Sequence, residues 1–312
     1  MRLGHRISLE RVSKPVAFAI AFSTCVSSSG CATLHPENAP TRQDIKASDG
    51  AHLSYRYFGS GPIVIVVAGG PGLDAEYMRP VAEDIAADGY RAVLPDLRGT
   101  GYSRDAGKSL DFMSETGSVA DLESLRQSLQ ADRVILVGHS FGGAMVQAYA
   151  SAHPDRVARL ILVDSTGTDL KPAPDEALAQ AWMKRLSPQE KADYAAARAR
   201  GDIEAAIRIK FHATITDPAR ADAFIAALKP QADPVASARI SADYRANYHV
   251  TRYDPDFPVT IIYGENDWIR AWQSQMSVVY PKATIDLIPD AGHFSWIDQP
   301  ALFASLIAAA LK

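Results

Sequence analysis

The chain has very little cysteine and no excess of basic charge. Only two of its 312 residues are cysteines, Cys25 and Cys31, so the body of the chain has no thiolate to offer a metal ion. The eight histidines are scattered without the spacing of metal ligands. A net charge of -4 gives no basic footprint for a nucleic acid. We therefore expect no metal site and no nucleic-acid partner.

The glycine-rich loops that bind nucleotides are also missing. The stretch Gly101–Ser109 ends in Gly-Lys-Ser, but five residues separate its glycines where a phosphate-binding loop needs four. Gly99-Thr100-Gly101 lacks the third glycine of a dinucleotide fingerprint, because Arg104 stands there. We therefore expect no cofactor.

No apolar run is long enough to span a bilayer, yet a shorter one lies near the N-terminus. It extends from Pro15 to about Val26 and follows four basic residues, Arg2, Arg6, Arg11 and Lys14. This pattern is typical of a secretory signal, so the protein is expected to be exported.

Ser28-Ser29-Gly30-Cys31-Ala32 resembles the cleavage site of bacterial lipoproteins, in which the cysteine becomes the acylated N-terminus. The resemblance implies a signal peptide over residues 1–31, lipidation of Cys31 and a tether over residues 32–43. The mature protein would then be anchored to a membrane, facing the periplasm or the cell exterior. Cleavage after Ala32, giving a soluble exported protein, and an uncleaved anchor are the alternatives.

The segment Val134–Gly143 reads as a buried strand that enters a G-x-S-x-G turn centred on Ser140. In such a turn the serine occupies a strained strand-to-helix bend, where a side chain at Gly138 or Gly142 would collide with the neighbouring backbone. Apolar residues after the turn continue as a helix. Ser140 is therefore the predicted nucleophile.

A nucleophilic serine needs a base and an orienting acid. Where the serine lies in a G-x-S-x-G turn between a strand and a helix, the acid and then the histidine follow it along the chain, each after a strand. Asp267 lies in the loop after the β-branched run Val259–Tyr263, and His293 follows the alternating strand Ala283–Ile288. We predict Asp267 as the acid and His293 as the base. Three other acids remain open, namely Asp164, which follows the strand Leu160–Val163, and Glu265 and Asp290.

A third requirement is a pair of backbone donors for the oxyanion. The buried strand Ile63–Val67 runs into Ala68-Gly69-Gly70-Pro71-Gly72, and a loop so rich in glycine lets its backbone approach a ligand closely. We predict the Gly70 and Phe141 amides as the oxyanion hole.

Five separated motifs occur in the order found in the α/β-hydrolase superfamily, which the chain resembles from about residue 44 to its end. They are Gly69-Gly70-Pro71-Gly72, the segment Asp96–Ser103, Gly138–Gly143, Gly264–Asp267 and Gly292-His293. The first two are most similar to those of proline iminopeptidases, although Ala68 and Phe141 stand where that family usually has His and Trp. A serine nucleophile speaks against haloalkane dehalogenases and epoxide hydrolases, which use Asp.

The resemblance implies an α/β fold: a mostly parallel central sheet flanked by helices, with core residues 44–165 and 257–312. It also implies a cap inserted over residues 166–256, where buried strands give way to Ala-rich amphipathic stretches. Four of these stretches are predicted to be helices, namely Asp175–Leu186, Pro188–Arg200, Asp202–Phe211 and Ala219–Leu228. An aminopeptidase would need a cap carboxylate for the substrate ammonium, and the candidates are Asp175, Glu176, Glu190, Asp193, Asp202 and Glu204.

These observations predict an exported serine hydrolase that cleaves a small ester or amide through an acyl-enzyme. The first alternative is a proline iminopeptidase-like aminopeptidase, which could also act on short peptides. An alternative of another class is a non-catalytic ligand-binding lipoprotein, because a fold does not fix a function.

Overall fold

The computed structural model describes residues 41–104, 112–170, 175–228, 234–250 and 254–312. The predicted signal peptide, Cys31 and residues 32–40 of the predicted tether lie outside these ranges.

The described chain is built around an eight-stranded sheet in the order β1-β2-β4-β3-β5-β6-β7-β8. Six neighbouring strands, β4, β3, β5, β6, β7 and β8, run parallel to one another. Strand β2 pairs antiparallel with both β1 and β4. The strands are β1 Thr41–Lys46, β2 His52–Phe58, β3 Ile63–Val67, β4 Arg91–Pro95, β5 Val134–His139, β6 Val157–Val163, β7 Val259–Gly264 and β8 Thr284–Ile288.

Eleven α-helices lie within the described residues: α1 Arg79–Ala87, α2 Glu115–Ser128, α3 Phe141–Ala152, α4 Glu176–Ala179, α5 Pro188–Ala199, α6 Ile203–Thr214, α7 Pro218–Ala227, α8 Pro234–Asn247, α9 Gln273–Val279, α10 Ser295–Asp298 and α11 Pro300–Ala310. Short 3₁₀ helices occupy Ala75–Met78, Gly101–Ser103, Pro154–Arg156, Ala181–Arg185 and Trp268–Trp272. Over these same ranges, no helix is both long and apolar enough to cross a membrane.

The central strands are continuously apolar because both faces of the sheet are covered. On β3, Ile65 and Val67 point into one core with residues of α2 and α3. Val64 and Val66 point into a second core with residues of α1 and α11. This alternation places the sheet between two helical layers, as expected for the predicted α/β architecture.

The predicted cap segment contains α4 to α8, all between β6 and β7. Two details differ from the sequence-based expectation. The helix expected over Asp175–Leu186 is a one-turn α4 followed by a separate 3₁₀ turn, Ala181–Arg185. The sequence does not predict helix α8, because its apolar residues have almost no one-sided periodicity. The helix begins at Pro234, and proline is favourable in the first turn of a helix although it interrupts a helix interior.

The predicted tether is too long at its C-terminal end. Residues 41–43 belong to β1, where Thr41 pairs with Tyr57 and Gln43 with Tyr55. The strand was not apparent because only Ile45 of its side chains is buried. Backbone pairing and the hydrogen bond from the Tyr55 hydroxyl to Gln43 Oε1 hold this edge strand instead.

Candidate active site

Ser140 occupies the sharp turn between β5 and α3. Its backbone is left-handed, with φ 55° and ψ -122°, a conformation that costs energy for any residue with a Cβ. The turn requires glycine at position 142, because a Cβ on Gly142 would lie 2.3 Å from the carbonyl oxygen of Val67. The strained bend lifts the Ser140 side chain above the carboxyl edge of the sheet.

Three side chains from three loops form one hydrogen-bonded chain. His293 Nε2 lies 3.0 Å from Ser140 Oγ, and His293 Nδ1 lies 3.1 Å from both carboxylate oxygens of Asp267. Asp267 follows β7 and His293 follows β8, and both are almost fully buried. With Nδ1–H donating to the carboxylate, Nε2 is left to accept the Ser140 hydroxyl proton.

The other acids considered lie elsewhere. Asp164 accepts hydrogen bonds from the Gly264 amide and from the Ser295 amide and hydroxyl. Burial and the neighbouring Asp267 raise the pKa of Asp164 to about 8, so it is mostly protonated at neutral pH. Burial also raises the pKa of Asp267, to about 7. Of the two carboxyls, Asp267 therefore ionises first and carries the negative charge next to His293. Glu265 and Asp290 are exposed.

The protonation state of His293 suits a base. Burial lowers the pKa of its imidazole, and the nearby Lys210 ammonium lowers that pKa as well. The ring is therefore neutral at neutral pH and able to take a proton.

The two predicted oxyanion donors border the same cavity as Ser140 and His293. Phe141 is the first residue of α3, and the first amides of a helix have no acceptor within the helix. Gly70 lies in the loop after β3, with φ 133°. That loop passes so close to the nucleophile that a Cβ on Gly69 would lie 2.7 Å from the Ser140 Cβ.

A second buried chain of hydrogen bonds joins the loop that carries the predicted oxyanion donor Gly70 to the loop that carries His293. His139 Nε2 lies 3.0 Å from the backbone oxygen of His293, and His139 Nδ1 lies 2.9 Å from the Tyr77 hydroxyl. Because a carbonyl can only accept, Nε2 carries the proton and Nδ1 accepts from Tyr77. The Tyr77 oxygen in turn accepts from the Gly69 amide. The chain thus connects the glycine-rich loop to the backbone of His293.

A cavity of about 550 Å³ opens above Ser140. Its walls come from the sheet loops and from α5, α6 and α8. Aromatic side chains form much of the lining, namely Phe141, Tyr194, Phe211, Trp268 and Trp272. This volume is suited to a small-molecule ligand.

The cap acids considered for an ammonium site do not line this cavity. Five of the six have a local partner or a capping role. Asp175 and Asp202 cap helices, Glu190 forms a capping box with Ser187, Glu204 pairs with Arg208, and Asp193 accepts from Gln189. Glu176 is exposed in the first turn of α4. In the described part of the chain there is also no group of three or more His, Cys, Asp or Glu side chains placed to hold a metal ion.

Sequence reasoning missed three residues of the site. His139 stood within the G-x-S-x-G motif without an assigned role, and Tyr77 had no motif at all. Lys210 carried a usable signal, because it lies four and three residues after Ala206 and Ile207 and so shares their apolar face of α6. Such a lysine on an inward face is unusual unless its charge is used.

The chain belongs to the α/β-hydrolase fold family, whose model matches residues 62–300. This confirms the predicted fold class. The chain is 29% identical over 292 residues to 2-hydroxymuconate semialdehyde hydrolase of Pseudomonas sp. (strain CF600), covering 87% of this chain and 94% of that relative. It is 27% identical over 310 residues to proline iminopeptidase of Xylella fastidiosa, covering 86% of this chain and 95% of that relative.

Among solved structures, a thermophilic esterase from Thermogutta terrifontis superposes with a TM-score of 0.67. The match covers 87% of this chain and 98% of the esterase at 23% identity. At that identity the likeness shows the fold alone.

Proposed function

We propose that the protein is a serine hydrolase that cleaves a small ester or amide through an acyl-enzyme. The observation that carries the proposal is the Ser140–His293–Asp267 chain at the base of an open cavity, with hydrogen-bond distances of 3.0 and 3.1 Å. The family and its relatives named as a hydrolase and a proline iminopeptidase support hydrolytic chemistry.

The first half-reaction forms the acyl-enzyme. Ser140 Oγ attacks the substrate carbonyl carbon while its proton passes to His293 Nε2. Asp267 holds the imidazole in the required tautomer and stabilises its cation. The Gly70 and Phe141 amides donate to the oxyanion. When the tetrahedral intermediate collapses, the bond to the leaving group breaks and the leaving group takes the proton from His293.

The second half-reaction releases the acid. His293 removes a proton from water, the hydroxide adds to the acyl carbonyl carbon, and collapse breaks the bond to Ser140 Oγ. The proton returns from His293 to Ser140 Oγ. No cofactor takes part in either step.

A fluorophosphonate probe tests the nucleophile. It is expected to label the wild-type protein at Ser140, and Ser140→Ala is expected to abolish labelling and hydrolysis while circular dichroism stays unchanged. Ser277→Ala is the matched control, because Ser277 is exposed on α9. Labelling at another serine would overturn the assignment. A non-catalytic ligand-binding lipoprotein would show no labelling at all.

We further propose that the protein is exported and anchored through an acylated Cys31, on the sequence pattern of residues 1–31. Cys31→Ser is expected to abolish lipid attachment and to move the protein from the membrane fraction to the soluble exported fraction. Cys25→Ser is the control, because it leaves the acceptor cysteine in place. Unchanged partitioning with a mature N-terminus elsewhere would contradict the anchor.

Proline iminopeptidase activity is the second candidate, favoured by the relative from Xylella fastidiosa. It requires a partner for the substrate ammonium, and no carboxylate of the described residues lines the cavity. A free-amine prolyl amide and its N-acetylated counterpart decide this. Equal rates would eliminate the aminopeptidase and leave an esterase or amidase.

A further inference from the structure

The cavity above Ser140 has charges of one sign. Three basic side chains line it, each from a different helix: Arg198 on α5, Lys210 on α6 and Arg245 on α8. No Asp or Glu of the described residues lines it. Neither arginine has a hydrogen bond or an ion pair to a described residue, although most other described arginines have one. The cavity therefore presents cations that the described part of the protein leaves uncompensated.

Lys210 lies deepest of the three, while Arg198 and Arg245 are exposed. Its Nζ lies 3.5 Å from the ring centroid of Trp268, and that ring is 5.5 Å from the ring of His293. Burial lowers the pKa of the Lys210 ammonium to about 8, with Arg198 adding to the effect and Asp267 opposing it. The amine is thus placed beside the reacting groups, with a ring face as its contact and no described anion bonded to it.

We propose that this cavity takes a substrate bearing a carboxylate, which pairs with Lys210 while the ester or amide carbonyl lies at Ser140. This substrate class deepens the proposed hydrolase function and rests on it for the cleavage step. Arg198 and Arg245 raise the local concentration of the anion at the mouth of the cavity. The aromatic walls accommodate an apolar spacer between the carboxylate and the scissile bond. A substrate ammonium would face Lys210 instead, which disfavours an N-terminal amine in this space.

Binding is tested without turnover, so the result does not depend on the catalytic assignment. The Ser140→Ala protein is titrated calorimetrically with monomethyl adipate and with its neutral analogue methyl 6-methylheptanoate. We expect the anion to bind at least about tenfold more tightly. Lys210→Met in the same background should remove that difference, and Lys210→Arg should keep most of it. Lys191→Met, an exposed lysine on α5, is the control that should change nothing.

Kinetics then test the same preference at the reacting centre. The first pair is the mono-p-nitrophenyl ester of adipic acid, which carries a free carboxylate on the acyl side, and the neutral p-nitrophenyl 6-methylheptanoate. The second pair is 4-acetoxybenzoate, which carries the carboxylate on the leaving-group side, and the neutral 4-acetoxyacetophenone. The kcat/KM ratio of anionic to neutral ester should exceed about ten in at least one pair and fall towards one in Lys210→Met.

The outcomes separate the two proposals. Equal affinities and equal kcat/KM values in both pairs, or a preference unchanged in Lys210→Met, would overturn the carboxylate site and leave the serine hydrolase in place. Anion binding that depends on Lys210, without any turnover or labelling at Ser140, would support the site and overturn the hydrolase function.

Discussion

The ring of His139 donates from Nε2 to the backbone carbonyl of His293, 3.0 Å away, so the residue before the proposed nucleophile supports the loop of the proposed base. The two rings lie 4.8 Å apart between centroids. Burial lowers the pKa of His139 well below its usual range, and the nearby His293 lowers that pKa as well. His139 therefore stays neutral and acts as a fixed link between the Tyr77 hydroxyl and the His293 backbone.

Tyr77→Phe should lower kcat about tenfold, because displacing catalytic groups by a fraction of an ångström is costly. The variant removes the hydroxyl that joins Gly69 to His139, and so loosens both the oxyanion loop and the His293 loop. KM should change little, since Tyr77 does not line the cavity.

Tyr90→Phe is the matched control for this variant. It removes a hydrogen bond of 2.8 Å to the Leu311 carbonyl. Tyr90 directly precedes β4, so it lies at the amino end of the parallel strands, opposite the edge that carries Ser140. Steady-state kinetics with a neutral ester measure both variants. If Tyr90→Phe reduces kcat as much as Tyr77→Phe, the loss reflects stability and the link has no positioning role.

Asp267→Asn should reduce kcat by about 10⁴, the scale expected when a triad histidine loses its correct tautomer. Asp164→Asn should cost far less, because Asp164 bonds to Gly264 and Ser295 and not to the His293 ring. Both variants replace a buried carboxyl, so each serves as the control for the other. The reverse ranking in kcat would show that the acid follows β6.

The preference for an anionic ester should depend on pH. Lys210 has a lowered pKa of about 8 in the folded protein, so its ammonium is present below that pH and is lost as the pH rises through it. The Asp267 carboxylate favours this charge and Arg198 disfavours it. Burial raises the pKa of Asp267 to about 7, whereas His293 is neutral over this range. Ionisation of Asp267 changes the turnover of both esters alike and cancels in their ratio. The kcat/KM ratio of anionic to neutral ester should therefore be high at pH 6 to 7 and fall above about pH 8.

A flat ratio from pH 6 to 10 would contradict the assignment of this charge to Lys210. Lys210→Arg provides the control, because an arginine stays charged across the range and should keep the ratio constant.

Gly142→Ala should destabilise the protein by more than about 3 kcal/mol or prevent folding, because its Cβ would meet backbone oxygens of Val67 and Ala68 within 2.5 Å. Gly201→Ala is the control. Gly201 has φ +73° but nothing within 4 Å of an added Cβ, so it should lose only about 1 kcal/mol. Urea unfolding measures both, and equal losses would contradict the close packing of the serine turn.

The sequence predicts the strands and the site residues whose signals lie in short, continuous segments of the chain. Buried β-branched runs identify β3, β5, β6 and β7, and the loops that follow β5, β7 and β8 carry Ser140, Asp267 and His293. The structure brings these three side chains into hydrogen-bond contact.

The sequence is less informative where tertiary contacts decide. β1 is held by backbone pairing with β2 and shows no apolar pattern, while α8 is packed without an amphipathic repeat. Tyr77 and Lys210 reach the site only through tertiary folding, which brings the segment after β3 and helix α6 close to Ser140. Residues brought together in this way leave no spacing rule in the sequence.

Trapping the acyl-enzyme tests the central claim most directly. The wild-type protein is mixed with a p-nitrophenyl ester, quenched in acid within milliseconds, digested and mapped by mass spectrometry. The acyl mass is expected on Ser140 alone, together with a burst of p-nitrophenol equal to the enzyme concentration. It should be absent in Ser140→Ala and present in Ser277→Ala. Turnover without any acylated peptide, or acylation of a different residue, would contradict the proposed mechanism.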